Sequence, residues 1–152
     1  MAATTSSAIK AYLESLGSGV PVFRDGAKPK QPMPYIVVTE AVSTGLDGPA
    51  NGDFGDADAE VNIIEVATVD LVQQARVRVS ATRTRTTERY GLAESFARAL
   101  HGCRLPAHPA PVHAVRVQGI DRIPIADNVV RHSITIEIHR QLLAAEVLPK
   151  PA

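Results

Sequence analysis

The sequence predicts an α+β fold: an antiparallel or mixed β-sheet with two helices packed on one face and a long loop or β-ribbon projecting from it. Residues 69–83 put Val69, Leu71, Ala75, Val77, Val79 and Ala81 on one parity and mainly polar side chains, Asp70, Gln74, Arg76 and Arg78 among them, on the other. That is the period of a half-buried strand. Residues 86–102 change to helical spacing, with Tyr90, Ala93, Phe96, Ala97 and Leu100 on one stripe, so strand and helix can share a core. The closing stretch, residues 129–142, alternates Val130, Ile134, Ile136, Ile138 and Leu142 with Arg131, Ser133, Thr135, Glu137 and His139, although His132 and Arg140 share the apolar parity.

From the N-terminus, Ser6 or Ser7 is expected to cap a helix over residues 6–16, because a hydroxyl ahead of an apolar-periodic run satisfies a free N–H of the first turn. Ile9, Tyr12, Leu13 and Leu16 form its stripe, and Gly17 suits the left-handed position that ends it. Val20, Val22 and Phe23 make a brief strand, and the three prolines and Asp-Gly pair of residues 24–34 make a loop. Residues 34–42 are β-rich and apolar on both faces, as expected of a central strand. Residues 43–59, rich in glycine and aspartate, offer little to fill a core and are expected to be a long exposed loop, of about 43–60. Beyond it, residues 60–69 form a second β-rich run. Two arrangements fit the sequence here, two short strands joined by a bend or one ribbon over residues 61–83. After the helix, Gly102 and the proline-rich residues 103–113 form a connector, residues 112–120 a strand, residues 121–128 a turn, and residues 146–152 a loose end.

Length and composition narrow the class. At 152 residues the chain, residues 1–152, is expected to be a single domain with one core. Sixteen basic residues balance sixteen acidic ones, so no global field recruits nucleic acid or an anionic membrane. One cysteine, Cys103, excludes an intramolecular disulfide framework, and the first residues lack the pattern of a secretory signal, so a reducing interior is the expected compartment. No apolar run approaches bilayer length, and the absence of tryptophan leaves little for a base-stacking platform.

Candidate chemistry is sparse. Ser7 and Lys10 have the S-x-x-K spacing of acyl-enzyme chemistry but lack its companion motifs, and a helix cap followed by a solvated lysine explains them. The acidic run Asp53, Asp56, Asp58, Glu60 fails the EF-hand pattern, which would need glycine at Val61 and glutamate at Ala67. His101, Cys103, His108 and His113 are ligand types, but their spacing matches no structural zinc motif. His132 and His139, seven apart in one strand, point to opposite faces. Arg76, Arg78, Arg83, Arg85 and Arg89 gather where strand gives way to helix, and could contact phosphates or another subunit. No catalytic residue, cofactor or metal site follows from these patterns.

The order of elements resembles the tail terminator (tail completion) proteins of long-tailed bacteriophages. The elements that carry the resemblance are a short N-terminal helix, a VPVF strand, a proline-containing loop into PYIVV, a Gly/Asp-rich loop, an alternating strand feeding the TTERYGLAESFARALHG helix, then VHAVRVQGI and a long closing strand. The resemblance implies a non-enzymatic virion protein, assembled in the host cytoplasm and located at the tail–neck junction. Such a subunit forms a homohexameric ring on the head-proximal end of the tail tube, ends tube polymerisation and joins the tail to the neck. Its implied partners are itself, the major tail-tube protein and a neck or stopper protein, with DNA passing through the lumen without sequence recognition and with no membrane. The alternatives are another neck protein, a head–tail stopper or adaptor, and a small cytoplasmic hydrolase using Ser7 and Lys10. The ribbon and loop supply the interface candidates Val66, Val69, Leu71, Arg76, Arg78, Asp53 and Phe54. On this division, Val79 and Phe96 belong to the core and residues 66–71 to assembly.

Overall fold

The computed structural model describes residues 4–27, 30–47 and 62–146. Helix α1 spans Thr5–Ser15 and is started by Thr4, not by Ser6 or Ser7. Thr4 and Ser7 form a reciprocal capping box, in which the Ser7 N–H donates to Thr4 Oγ1 and the Thr4 N–H to Ser7 Oγ. Gly17 takes the left-handed conformation after the last turn, φ 64°. Strand β1 (Val22–Arg24) runs parallel to β2 (Tyr35–Val38), with a cis Met33–Pro34 bond in the loop between them. β2 is shorter than the apolar run 34–42 implied.

Strand β3 (Val42–Asp47) occupies the start of the stretch expected to be loop and pairs antiparallel with the first half of β4 (Asn62–Gln74). Backbone pairing along one side of β4 needs no apolar side chain, and Val42, Ser43 and Thr44 are all exposed. The remainder of the expected loop, with Asp53 and Phe54, lies outside the described residues.

β4 settles the ribbon question in a third way. It is one strand of 13 residues, paired with β2 and β3 on one side and along its whole length with β8 (Val129–Gln141) on the other. It ends at Ala75, where the chain leaves the sheet and forms a separate two-stranded hairpin, β5 (Arg76–Arg78) with β6 (Thr84–Thr86). The segment that projects is therefore the part after Ala75, and the part before it lies in the middle of the sheet, the reverse of the sequence expectation. Three backbone bonds at Ala75 fix the exit: its N–H donates to Asn128 O, and its carbonyl accepts from Thr87 and Glu88 N–H.

Helix α2 (Leu92–Leu100) buries Ala93, Phe96, Ala97 and Leu100. Tyr90 lies outside it and is 78 % exposed, so it is not part of the buried stripe. β7 (Val112–Ala126) runs through the expected turn and returns into β8 at Asp127–Asn128, with Asn128 left-handed at φ 59°. Pro124 is tolerated because β7 is a sheet edge, where a missing N–H costs no ladder bond. A 3-10 turn at Ala144–Glu146 closes the described chain.

The result is an α+β fold, a mixed six-stranded sheet in the order β1-β2-β4-β8-β7, with β3 also on β4, plus the small hairpin. Ile36, Val38, Ala67, Val69, Leu71, Ile134, Ile136 and Ile138 line one sheet face and pack with Ile9 and Leu13 of α1 and Phe96 and Leu100 of α2 in a single core. The Tyr12 hydroxyl donates to Ala99 O at 2.6 Å and ties the two helices together. Among the described residues no helix is long and apolar enough to cross a membrane.

Candidate functional site

Alternation along β4 should leave only apolar side chains on the helix-covered face, yet Glu65 and Gln73 share that parity with Ile63, Ala67, Val69 and Leu71. Each begins a polar construction at one end of the strand. At the first end, Arg140 of β8 is 5 % exposed and donates from Nε to Glu65 Oε1 at 2.5 Å and from both terminal nitrogens to Glu146 at 2.9 and 2.6 Å. Burial lowers the basicity of Arg140, but its two carboxylates more than offset this, and it stays charged. Glu65 also accepts from Thr5 Oγ1 at 2.6 Å, and His108 Nε2 lies 2.8 Å from the same hydroxyl.

A threonine hydroxyl beside a histidine suggests a nucleophile and base, but the hydrogen bonds run the wrong way. His108 Nδ1 accepts from Ala110 N–H at 2.9 Å, so the neutral ring carries its proton on Nε2 and donates to Thr5, whose own proton goes to Glu65. The group is a chain of satisfied donors that secures the start of α1 to the sheet. It borders a cavity of about 510 Å³ lined by Thr4, Glu40, Glu65, His108, Arg140 and Glu146, among others.

Burial, with a smaller contribution from the Arg140 charge, holds His108 below its ordinary pKa of 6.5. The unfolded chain therefore takes up this proton first, so its contribution is complete above about pH 6.5 and is lost as pH falls towards the lower folded value. Glu146 acts in the same direction. Burial, the largest single influence, works to raise its carboxyl, but the hydrogen bonds from Arg140 and from the Leu143 N–H, together with the Arg140 charge, outweigh it and hold the group below 4.5. Its contribution is complete above that value and disappears as pH falls through the lowered one. Thermal melts should lose midpoint steadily on acidification from about pH 7, and His108→Gln should flatten the upper part of that slope.

At the other end of β4, the Gln73 amide brackets the chain at Arg89: Arg89 N–H donates to Gln73 Oε1 at 3.0 Å. Glu88, 6 % exposed, receives a two-pronged contact from Arg122 at 2.9 and 3.3 Å and lies 3.7 Å from His132 Nε2. These contacts pin the base of the β5–β6 hairpin while the hairpin itself stands free. Arg76, Arg78, Arg83 and Arg85 are all exposed, as is Val79 at 60 %. Arg78 spends its guanidinium on the turn carbonyls of Ser80 and Ala81.

The residues singled out in the sequence therefore separate. Val69 and Leu71 are fully buried in the subunit core, so neither is presented to a neighbour. Val66 lies on the helix-free face and is half-buried; Arg76 and Arg78 stand on the projecting hairpin; Asp53 and Phe54 lie outside the described residues. Ser7 is engaged in the α1 cap and Lys10 pairs with Glu14 at 2.9 Å, so the two are not joined as nucleophile and base. His101 accepts from Val117 N–H and His113 lies against Asn62 Oδ1. Among the described residues no three His, Cys, Asp or Glu side chains are placed to hold a metal ion. The Thr5–Glu65–Arg140–His108 cluster was not found from the sequence. Its signal is a charge of each sign, Glu65 and Arg140, on core parity, but only the register, Ile63 opposite Arg140 and Glu65 opposite Ile138, brings the two together.

Fold and site together define a small α+β domain in which Thr5, Glu65, His108, Arg140 and Glu146 are engaged with one another at one end of β4, and Gln73, Glu88, Arg122 and His132 cluster at the other. Its fold is similar to that of a chain in the solved structure described as "Virion of native gene transfer agent (GTA) particle", with a TM-score of 0.62 and 10 % identity over 91 % of this chain and 96 % of that one. At that identity what is shared is the fold. No family model matches the chain, and no curated protein does.

Proposed function

We propose that this chain is a structural subunit of a phage-like virion, and within it the terminator that caps the head-proximal end of the tail tube, ends polymerisation and joins the tail to the neck as a hexameric ring. The observation that carries this is the likeness in fold to a virion chain over 91 % of this chain and 96 % of that one. The order of elements that resembles tail terminators points the same way. Two physical features support assembly. Among the described residues β7 is the last strand of the sheet, with Gly102 N–H donating to Val115 O and Val117 N–H donating to the His101 ring, and β3 pairs with β4 alone; strand edges of this kind are normally covered or paired. Among the described residues, Thr5, Glu65 and His108 are engaged in holding α1, and Glu88 and Arg122 in holding the base of the hairpin.

The account is non-catalytic, with the tube protein and a neck protein as partners. It is tested by measuring particle mass at micromolar concentration, alone and with tail tubes. A ring several subunits in mass in either condition supports it, and a chain that stays monomeric in both overturns it.

A further inference from the structure

The β5–β6 hairpin carries charge for which the subunit has no use. Arg76, Arg83 and Arg85 are exposed and make no ion pair among the described residues, and Arg89 follows at the base. Residues 76–89 hold five arginines and one acid, Glu88, which is buried against Arg122. The interval before them is the opposite. Between Lys30 and Arg76 the sequence has no lysine or arginine, yet it contains eight of the sixteen acidic residues, from Glu40 to Asp70. The two runs are opposite in charge, so the arginines of one copy can meet carboxylates of another.

The opposite end of β4 carries a cavity rich in carboxylates. The cavity beside α1 is lined by three carboxylates, Glu40, Glu65 and Glu146, and one cation, Arg140; neutral His108 adds no charge, and Arg24, which reaches Thr4 at the rim, is paired with Asp25. Glu65 and Glu146 are held by Arg140, whereas Glu40, which is exposed, receives among the described residues only the Ser6 hydroxyl, at 3.0 Å. At about 3.3 Å per residue, the nine steps from Glu65 to Gln74 separate cavity and hairpin by roughly 30 Å, too far to meet within one chain. Two different patches at opposite ends of one subunit are what a head-to-tail contact requires, and such contacts close into a ring or run on as a filament.

We infer that the arginine hairpin of one copy docks into the carboxylate-lined cavity of the next, with Arg83 and Arg85 meeting Glu40. The inference rests on the self-association proposed above and names the surfaces that make it. Nucleic acid is the competing occupant of an arginine-rich hairpin, and the zero net charge of the chain together with the carboxylates of the cavity favours the second copy.

The test uses the full chain with Arg83→Glu and Arg85→Glu together, Glu40→Arg alone, and all three combined. Melting midpoints control for folding, which these exposed sites should leave unchanged. The hairpin variant and the Glu40 variant should each associate about tenfold or more weakly, and the triple variant, with charges exchanged across the contact, should recover. Wild-type rings indifferent to the hairpin variant would overturn this contact while leaving the ring intact. Failure of the triple variant to recover would also overturn it. A hairpin variant that assembles normally but loses salt-dependent binding to duplex DNA would assign the hairpin to nucleic acid instead. A wild-type chain that never associates would remove both proposals.

Discussion

Leu71→Ala should destabilise the subunit by about 2–5 kcal/mol, the range for emptying a leucine site in a packed core. Leu71 has no exposed surface, is flanked by Ile36 on β2 and His132 on β8, and belongs to the cluster under both helices. Its neighbours belong to two strands and two helices, so the surroundings cannot collapse onto the void without moving the sheet. For a chain of this size the melting midpoint should fall by about 10 °C. Val79→Ala, eight residues further on and at the same parity, should change stability by less than about 0.5 kcal/mol, because Val79 is mostly exposed on the hairpin. Thermal or urea melts of the two variants side by side check the division at Ala75, and equal losses would contradict it.

Arg140→Met should cost about 3–5 kcal/mol, the penalty for removing one partner of a buried ion pair. The methionine fills much of the space, so the loss is electrostatic. Glu65 keeps the Thr5 hydroxyl but loses its cation while remaining buried, and Glu146 is released from its two-pronged contact. The 3-10 turn at Ala144–Glu146 is then held only by its own backbone and by the Leu143 N–H that Glu146 accepts, so hydrogen exchange should rise there first. Replacing Glu65 and Arg140 together by leucine and methionine should recover much of the loss, since an apolar pair of similar volume avoids the desolvation cost. A single Arg140→Met variant as stable as the wild type would show that the cluster contributes nothing to folding.

Much of the fold is legible in the sequence wherever one face of an element is buried. Ile9 and Leu13, Phe96 and Leu100, and Ile134 to Ile138 announce their elements because the core imposes its period on them. Legibility fails where pairing rather than burial defines the element. β3 is held by ladder bonds to β4, and its sequence, VSTGLD, carries no apolar period. The last third of β7 is an exposed edge in which Pro124 suggests a turn. The strict alternation of residues 69–83 misled for a related reason: it continues through Ala75 without a break, although the backbone there leaves the sheet. Alternation reports an extended chain, not the sheet to which that chain belongs, so the buried and projecting halves were exchanged. The candidate site was less legible still. Glu65, Arg140 and His108 lie 32 or more residues from one another, and only the β4–β8 register and the fold of the proline-rich connector bring them onto Thr5.

Electron micrographs of tails made with and without this protein provide the decisive comparison. The account predicts that without it tube length loses its control and heads fail to join, and that adding the purified protein back places a ring at one end of each tube. Tails of unchanged length that still carry heads in its absence would contradict it.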